Sequence, residues 1–245
     1  MRVPRNTRTQ RPIPDEKIHR AKCVRIIEYG TQTSMWSDEP KKAKKVRLTF
    51  ELLETSEVFN EDKGPQPCVV SNQYTASLNT NSHLYNMLKS WNKGAIKAME
   101  ESGEDGLDLN VFLGKPCMIQ IEHSDPSKDG IVYANIANKG RSVMPRDKSE
   151  KDNKVWKDGT HNPKVLFEFD PWDQKKFDDL YEFEQNAIKK SDEYQAMLAD
   201  GDVSESTSKE EAAPVDDEGS FPPDEKKEEK ADEKKEETVE EDEGF

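Results

Sequence analysis

The last 45 residues limit what this chain can fold into more than any other feature. From Gly201 to Phe245 there are 19 Asp or Glu against six Lys, with no apolar periodicity. Such a segment buries too little apolar area to offset the entropy of ordering it. Residues 199–245 therefore read as a disordered acidic tail, and the folded body is confined to what precedes them. Residues 201–245 carry −13 of the chain's −14, which leaves the body near neutral. Within that body, residues 1–50 hold 13 Lys or Arg against five Asp or Glu. A basic front and an acidic back suggest a polyanion-binding domain with an interaction tail.

Several function classes find no support. Cys23, Cys68 and Cys117 are an odd number without framework spacing, which favours a reducing compartment. No stretch approaches the ~20 apolar residues of a membrane span. Residues 1–16 hold four Arg and three Pro with no apolar run, which argues against a secretory signal; a transit peptide is one reading and a basic flexible arm the simpler one. There is no Walker A loop, GxGxxG, GxSxG or HExxH. None of His19, His83, His123 and His161 pairs with a cysteine at zinc-site spacing. Glu122, Asp125 and Asp129 surround a turn, where solvated carboxylates belong. No cofactor, metal or catalytic residue is expected, and the protein reads as non-enzymatic, with a metal-dependent nuclease as the third reading after DNA binding and partner recruitment.

Period-2 alternation organises the body. HRAKCVRIIEYG is β-rich, and the polar stretch TQTSMWSDEPKKAKK reads as a loop. In KVRLTFELL, Val46, Leu48, Phe50 and Leu52 share one face of a strand. CVVSNQYTAS is a third strand. In NTNSHLYNMLKSW, Leu84, Leu88 and Trp91 fall at helical spacing behind a capping Asn or Ser. KGAIKAMEESGEDG is mobile or weakly helical, and LDLNVFLG makes a helical turn. CMIQIEH and IVYANIAN alternate on either side of the turn DPSKDG. Three strands, a helix and two strands is the connectivity of a five-stranded OB-fold barrel, expected over 17–170. KVLFEFD adds a short strand. A C-terminal helix is expected over 171–198, with Asp170 as cap and Pro171 in its first turn. Phe177, Leu180 and Ile188 lie on one side of it, with Phe183 beside them. The fold class is thus mainly β with flanking helices.

Aromatics interleaved with cations are what single-stranded nucleic acid needs: charges tracking phosphates and flat rings for unpaired bases. The candidates are Arg25, Tyr29, Trp36, Lys41, Lys42, Lys44, Lys45, Arg47, Tyr74, Tyr133, Lys139 and Arg141. Phe50 and Trp91 are expected in the core. Trp36 is open to base stacking or loop packing, and Tyr133 should point outward from its strand. The lysine cluster has a solvated loop as its bland alternative.

The ordered set KVRLTFELL, VVSNQYTASL, LKSW, LGKPCMIQIEH, YANIA and VLFEFDPWDQKKFDDL…IKKSDEY resembles the OB-fold single-stranded DNA-binding proteins of tailed bacteriophages. The likeness spans roughly Val46 to Tyr194. SWNKG at Ser90–Gly94 matches that family's turn loosely, and the stretch from Gly94 to Leu107 departs from it. The resemblance implies a replication or recombination protein that coats single-stranded DNA in the cytoplasm of an infected bacterial host. It also resembles such proteins in ending an acidic tail on Phe. Glu240, Glu241, Asp242, Glu243 and Phe245 are accordingly candidates for binding partner proteins: a ring for an apolar pocket and acids to steer the approach. The rival reading is a mediator whose acids mimic nucleic acid and recruit replication enzymes. Self-association is left open.

Overall fold

The computed structural model describes residues 10–36, 39–59, 61–103, 106–137, 142–150 and 153–201. By its contacts the chain divides after Thr207, and the second unit lies outside the described residues. The first unit is mainly β, with a seven-stranded open sheet and short helices.

Strand β1 (Ile18–Trp36) pairs antiparallel with β2 (Glu39–Glu57) from Ala21 to Trp36. The alternation in KVRLTFELL sets the inner face: Val46, Leu48, Phe50 and Leu52 are all buried. Strand β1 does not alternate so simply. Its register against β2 jumps from Cys23 to Arg25 and from Glu28 to Gly30, leaving Val24 and Tyr29 as extra residues. Each bulge inverts side-chain parity downstream. Ala21, Cys23 and Ile26 therefore enter one core, while Ile27 and Tyr29 enter a second.

Strand β3 (Gln66–Thr75) extends the sheet beyond β2, and β4 (Pro116–His123) flanks the first residues of β1. The far edge of β4 is shared end to end by β5 (Ala134–Ile136) and β6 (Val143–Pro145). Strand β7 (Val165–Phe167) runs parallel to Arg25–Ile27, the one parallel pairing among the described strands. Helix α1 (His83–Trp91) starts at Ser82, whose Oγ accepts from Tyr85 N at 3.1 Å. Asn92 ends α1 and opens α2 (Lys93–Ser102) by accepting from Ala95 N at 3.2 Å, so the weakly helical segment is a regular helix. Leu109–Phe112 makes the expected helical turn. Trp91 lies in the first core, 5.5 Å from the Phe50 ring and 4.9 Å from Phe112, and its Nε1 donates to Pro116 O.

Three expectations are corrected. The closed five-stranded barrel does not form. The path β3-β2-β1-β4-β5 is open, with β6 on β4 and β7 on β1. Strand β5 uses its three residues on Ile121–His123, so β3 and β5 approach within 8 Å at Cα without a ladder. A cleft of about 230 Å³ lies between β3 and the residues following β5, lined by Asn72, Tyr74, Asn81, His83, Asn86, Met87, Ala137 and Ser142. Second, the stretch read as a polar loop is a β-ribbon: β1 continues to Trp36 and β2 begins at Glu39. Lys42 and Lys44 stand opposite Thr33 and Thr31, so the ribbon has backbone pairing but no hydropathic alternation to announce it.

Third, the single C-terminal helix is α4 (Gln174–Asp178), α5 (Glu182–Lys189) and α6 (Asp192–Asp200), after the short α3 (Lys154–Lys157). Asp173, not Asp170, caps α4, accepting from Lys176 N at 3.0 Å. Ser191 divides α5 from α6. Its hydroxyl donates to Ile188 O at 2.7 Å and accepts from Tyr194 N at 3.2 Å, the local bonding that makes serine a helix starter. Phe177, Leu180 and Ile188 nonetheless share the second core, with Phe167 and Tyr194.

Candidate nucleic-acid interface

The lysines of β2 divide by parity. Lys42 and Lys44 continue the Val46–Leu48 face past the end of the core, and Lys41 and Lys45 continue the Arg47 face. Lys42 Nζ meets Asp192 of α6 at 2.7 Å, and Lys44 pairs with Glu28. Lys45 Nζ donates to Thr75 Oγ1 at 2.9 Å. Glu193 fixes the base of the ribbon, accepting from Thr31 N at 2.6 Å and Thr31 Oγ1 at 2.7 Å. Burial opposes ionisation of Glu193, but the two Thr31 bonds and nearby Lys44 outweigh it and hold its pKa below the ordinary value. Lys41, Lys42 and Lys44 remain exposed.

The outer face of β1 and β2 is partly covered by the C-terminal segment. Arg25 is a buried ion-pair partner: its side chain is 8 % exposed and Glu184 of α5 only 1 %. Arg25 Nε donates to Glu184 Oε1 at 3.2 Å, and a second nitrogen bonds Oε2. Glu51 holds the loop before β7 by accepting from His161 N at 2.8 Å, Asn162 N at 2.7 Å and Asn162 Nδ2 at 2.7 Å. Arg47 donates to Ser71 Oγ at 2.6 Å, and its guanidinium lies 4.8 Å from the Phe183 ring centroid. Beyond Arg47, the outward residues Val69, Gln73 and Thr75 of β3 are exposed.

The sequence-level candidates thus separate. Lys45 and Arg47 share the outer face of β2, and Lys41, Lys42 and Lys44 belong to the adjoining ribbon. Tyr29 is 2 % exposed in the second core and Tyr74 6 % exposed in the first, so neither ring offers a face to solvent. Burial pushes the Tyr74 phenol up to about 12. Tyr133 points outward at 41 % exposure, just before β5, and stands apart from the lysine ribbon in the strand order. Its backbone N–H donates to Ser124 Oγ at 3.0 Å. Trp36 ends β1 opposite Glu39, but its side chain lies outside the described residues. Lys139, Arg141, Glu240, Glu241, Asp242, Glu243 and Phe245 lie outside them as well. From Gln10 the N-terminal arm is bonded to the body: Gln10 pairs with both backbone groups of Val132, and His123 Nε2 meets Pro14 O at 2.8 Å.

Sequence reasoning passed over Tyr181 and Phe183. They stack at 5.8 Å between centroids with 20° between planes, and Arg25 lies 4.3 Å from the Tyr181 centroid. The available signal was the pair of aromatics two apart in YEF. Reading one continuous helix through it hid the break that brings both rings to the sheet.

The cysteines are packing groups. Burial raises Cys23 to about 12, Cys68 to about 11 and Cys117 well above the ordinary thiol value. Among the described residues no three His, Cys, Asp or Glu side chains are placed to hold a metal, and no helix is long and apolar enough to cross a membrane. No protein-family model matches the chain, and no curated protein or solved structure matches it either.

Proposed function

We propose that this protein binds single-stranded DNA without sequence preference, through the lysine ribbon and the outer face of β2 and β3. The observation that carries this reading is the exposed run Lys41, Lys42 and Lys44 on a two-stranded ribbon, continuous with Lys45 and Arg47 on the sheet. Cations spaced along a strand match a phosphate chain, and a flat sheet face accepts bases of any identity. We read the path β3-β2-β1-β4-β5 as an OB-type arrangement left open between β3 and β5. In this reading the protein coats DNA during replication or recombination, as the resemblance to phage proteins implies, and the acidic residues ending in Phe245 recruit a partner protein.

The test is titration of labelled oligo-dT and of a matched duplex into the full chain at several salt concentrations. Oligo-dT should bind more tightly than duplex, with log K falling against log salt at a slope of about −0.7 for each phosphate neutralised. Equal affinity for the two in matched salt would reject the proposal. Binding by neither form would favour the mediator reading instead.

A further inference from the structure

In that reading the lysines supply phosphate contacts, but among the described side chains none of the aromatics chosen from sequence presents an exposed ring on β2 or β3. Tyr29 and Tyr74 are buried, the Trp36 side chain lies outside the described residues, and Tyr133 precedes β5, which pairs with β4 and not with β2 or β3. The break between α4 and α5 supplies two rings there. Tyr181 N donates to Glu184 Oε2 at 3.1 Å, which fixes the first turn of α5 over the sheet. Arg25 is held by the same carboxylate and packs against Tyr181. The Arg25 side chain is almost fully buried while Tyr181 is 52 % exposed as a residue, so the cation backs the ring from the protein side and much of Tyr181 stays open to solvent beside Phe183. Phe183 is backed in the same way by Arg47, which also bonds Ser71 of β3.

From these contacts we infer that Tyr181 and Phe183 form a base-stacking platform, with Arg47 joining it to the β2–β3 face. This rests on the proposed binding of single-stranded DNA and names where its bases sit. Several features suit the role. The ring planes are nearly parallel, 20° apart, an orientation on which successive bases can stack. They are fixed by cation–π contacts and a helix start, so little side-chain entropy remains to be lost on binding. They also lie next to cations that can reach phosphates, since Arg47 and Lys45 are on the same face of β2. The competing account is that Tyr181 only shields the Arg25–Glu184 pair from water, and it makes a different prediction.

The experiment compares oligo-dT affinity and thermal stability for wild type, Tyr181→Leu, Tyr181→Phe and Phe183→Leu in the full chain. Stacking at Tyr181 predicts that Tyr181→Leu binds roughly 5- to 150-fold more weakly. Tyr181→Phe should keep wild-type affinity, because the ring and not the hydroxyl carries the contact. Ultraviolet crosslinking of oligo-dT should mark the peptide containing Tyr181 in wild type. If wild type binds and Tyr181→Leu binds equally well, whether or not its stability falls, the platform is excluded and the ring is a cover for the ion pair. Equal losses in Tyr181→Leu and Tyr181→Phe would exclude stacking too. A wild type that binds no oligo-dT is a separate result, which removes the underlying reading.

Discussion

Glu184 is the residue whose loss should cost the fold most for the fewest atoms changed. Its carboxylate meets Arg25 and the Tyr181 N–H, and both charged side chains are almost fully buried. Removing one member of such a pair leaves an uncompensated charge. Glu184→Gln should therefore destabilise by about 3–5 kcal/mol, measured by urea unfolding. The double change Arg25→Met with Glu184→Leu should recover most of that loss, because it removes the buried charges together. Arg25 also shows why a sequence pattern misplaces a residue. A basic residue in a β-rich segment invites an exposed reading, but the bulge at Val24 turns it toward α5, and bulges leave no mark in hydropathy. Tyr74 was misplaced as a base contact although it alternates with Cys68 and Val70, both buried, a pattern that marks it as core. Trp91 and Phe50 were read correctly because helical and strand periods alone placed them inside.

At the scale of elements, the ribbon and α6 are joined through Gly30, Thr31 and Lys42. Gly30 has φ 68°, and a Cβ there would lie 2.6 Å from Glu193 Oε2, 2.7 Å from Ser191 Cβ and 2.9 Å from Phe169. Gly30→Ala should destabilise by more than ~1 kcal/mol, read from thermal unfolding, through both backbone strain and displacement of α6. Under the proposed function, a DNA phosphate at Lys42 would have to displace Asp192. Asp192→Asn should thus tighten oligo-dT binding a few-fold, since an exposed pair holds its cation only weakly. The Glu193 bond to Thr31 gives the junction an acid limit. The folded-state pKa is depressed, so its stabilisation is present above the ordinary value of 4.5 and fades as pH falls through the lower folded value. Glu193→Gln should flatten that acid limb in a stability-against-pH series. Sequence gave no warning of this junction, because its partners are more than 140 positions apart and polar on both sides.

For the whole molecule, charge is the dominant asymmetry. Under the proposed function, the acidic residues after Gly201 are a polyanion carried on the same chain, at high effective concentration relative to added DNA. Deleting residues 201–245 should tighten oligo-dT binding, most visibly at low salt, while deleting Phe245 alone should leave it unchanged and weaken capture of a partner protein. Electrophoretic shifts of the two truncations separate these roles. The overall β character, the order of the main strands and α1 were legible from alternation and caps. Barrel closure was not, because it depends on whether β5 is long enough to reach β3, and alternation in IVYANIAN continues past the three residues that pair.

The two bulges of β1 have a consequence for anyone who would cut this protein down. Ile27 and Tyr29 are sealed by Phe167, Phe177 and Tyr194, while Ile26 faces the first core from the next position. From Ala21 to Ile27 the central strand is buried on both sides, so a chain stopped at residue 170 would not release a minimal binding module. It would lay bare an apolar stripe along β1 and strand Arg25 without its counter-ion, and such a fragment should aggregate on expression. A truncation that keeps both cores should run through α6, which supplies Tyr194 to the second core, and the two cores should melt in a single transition.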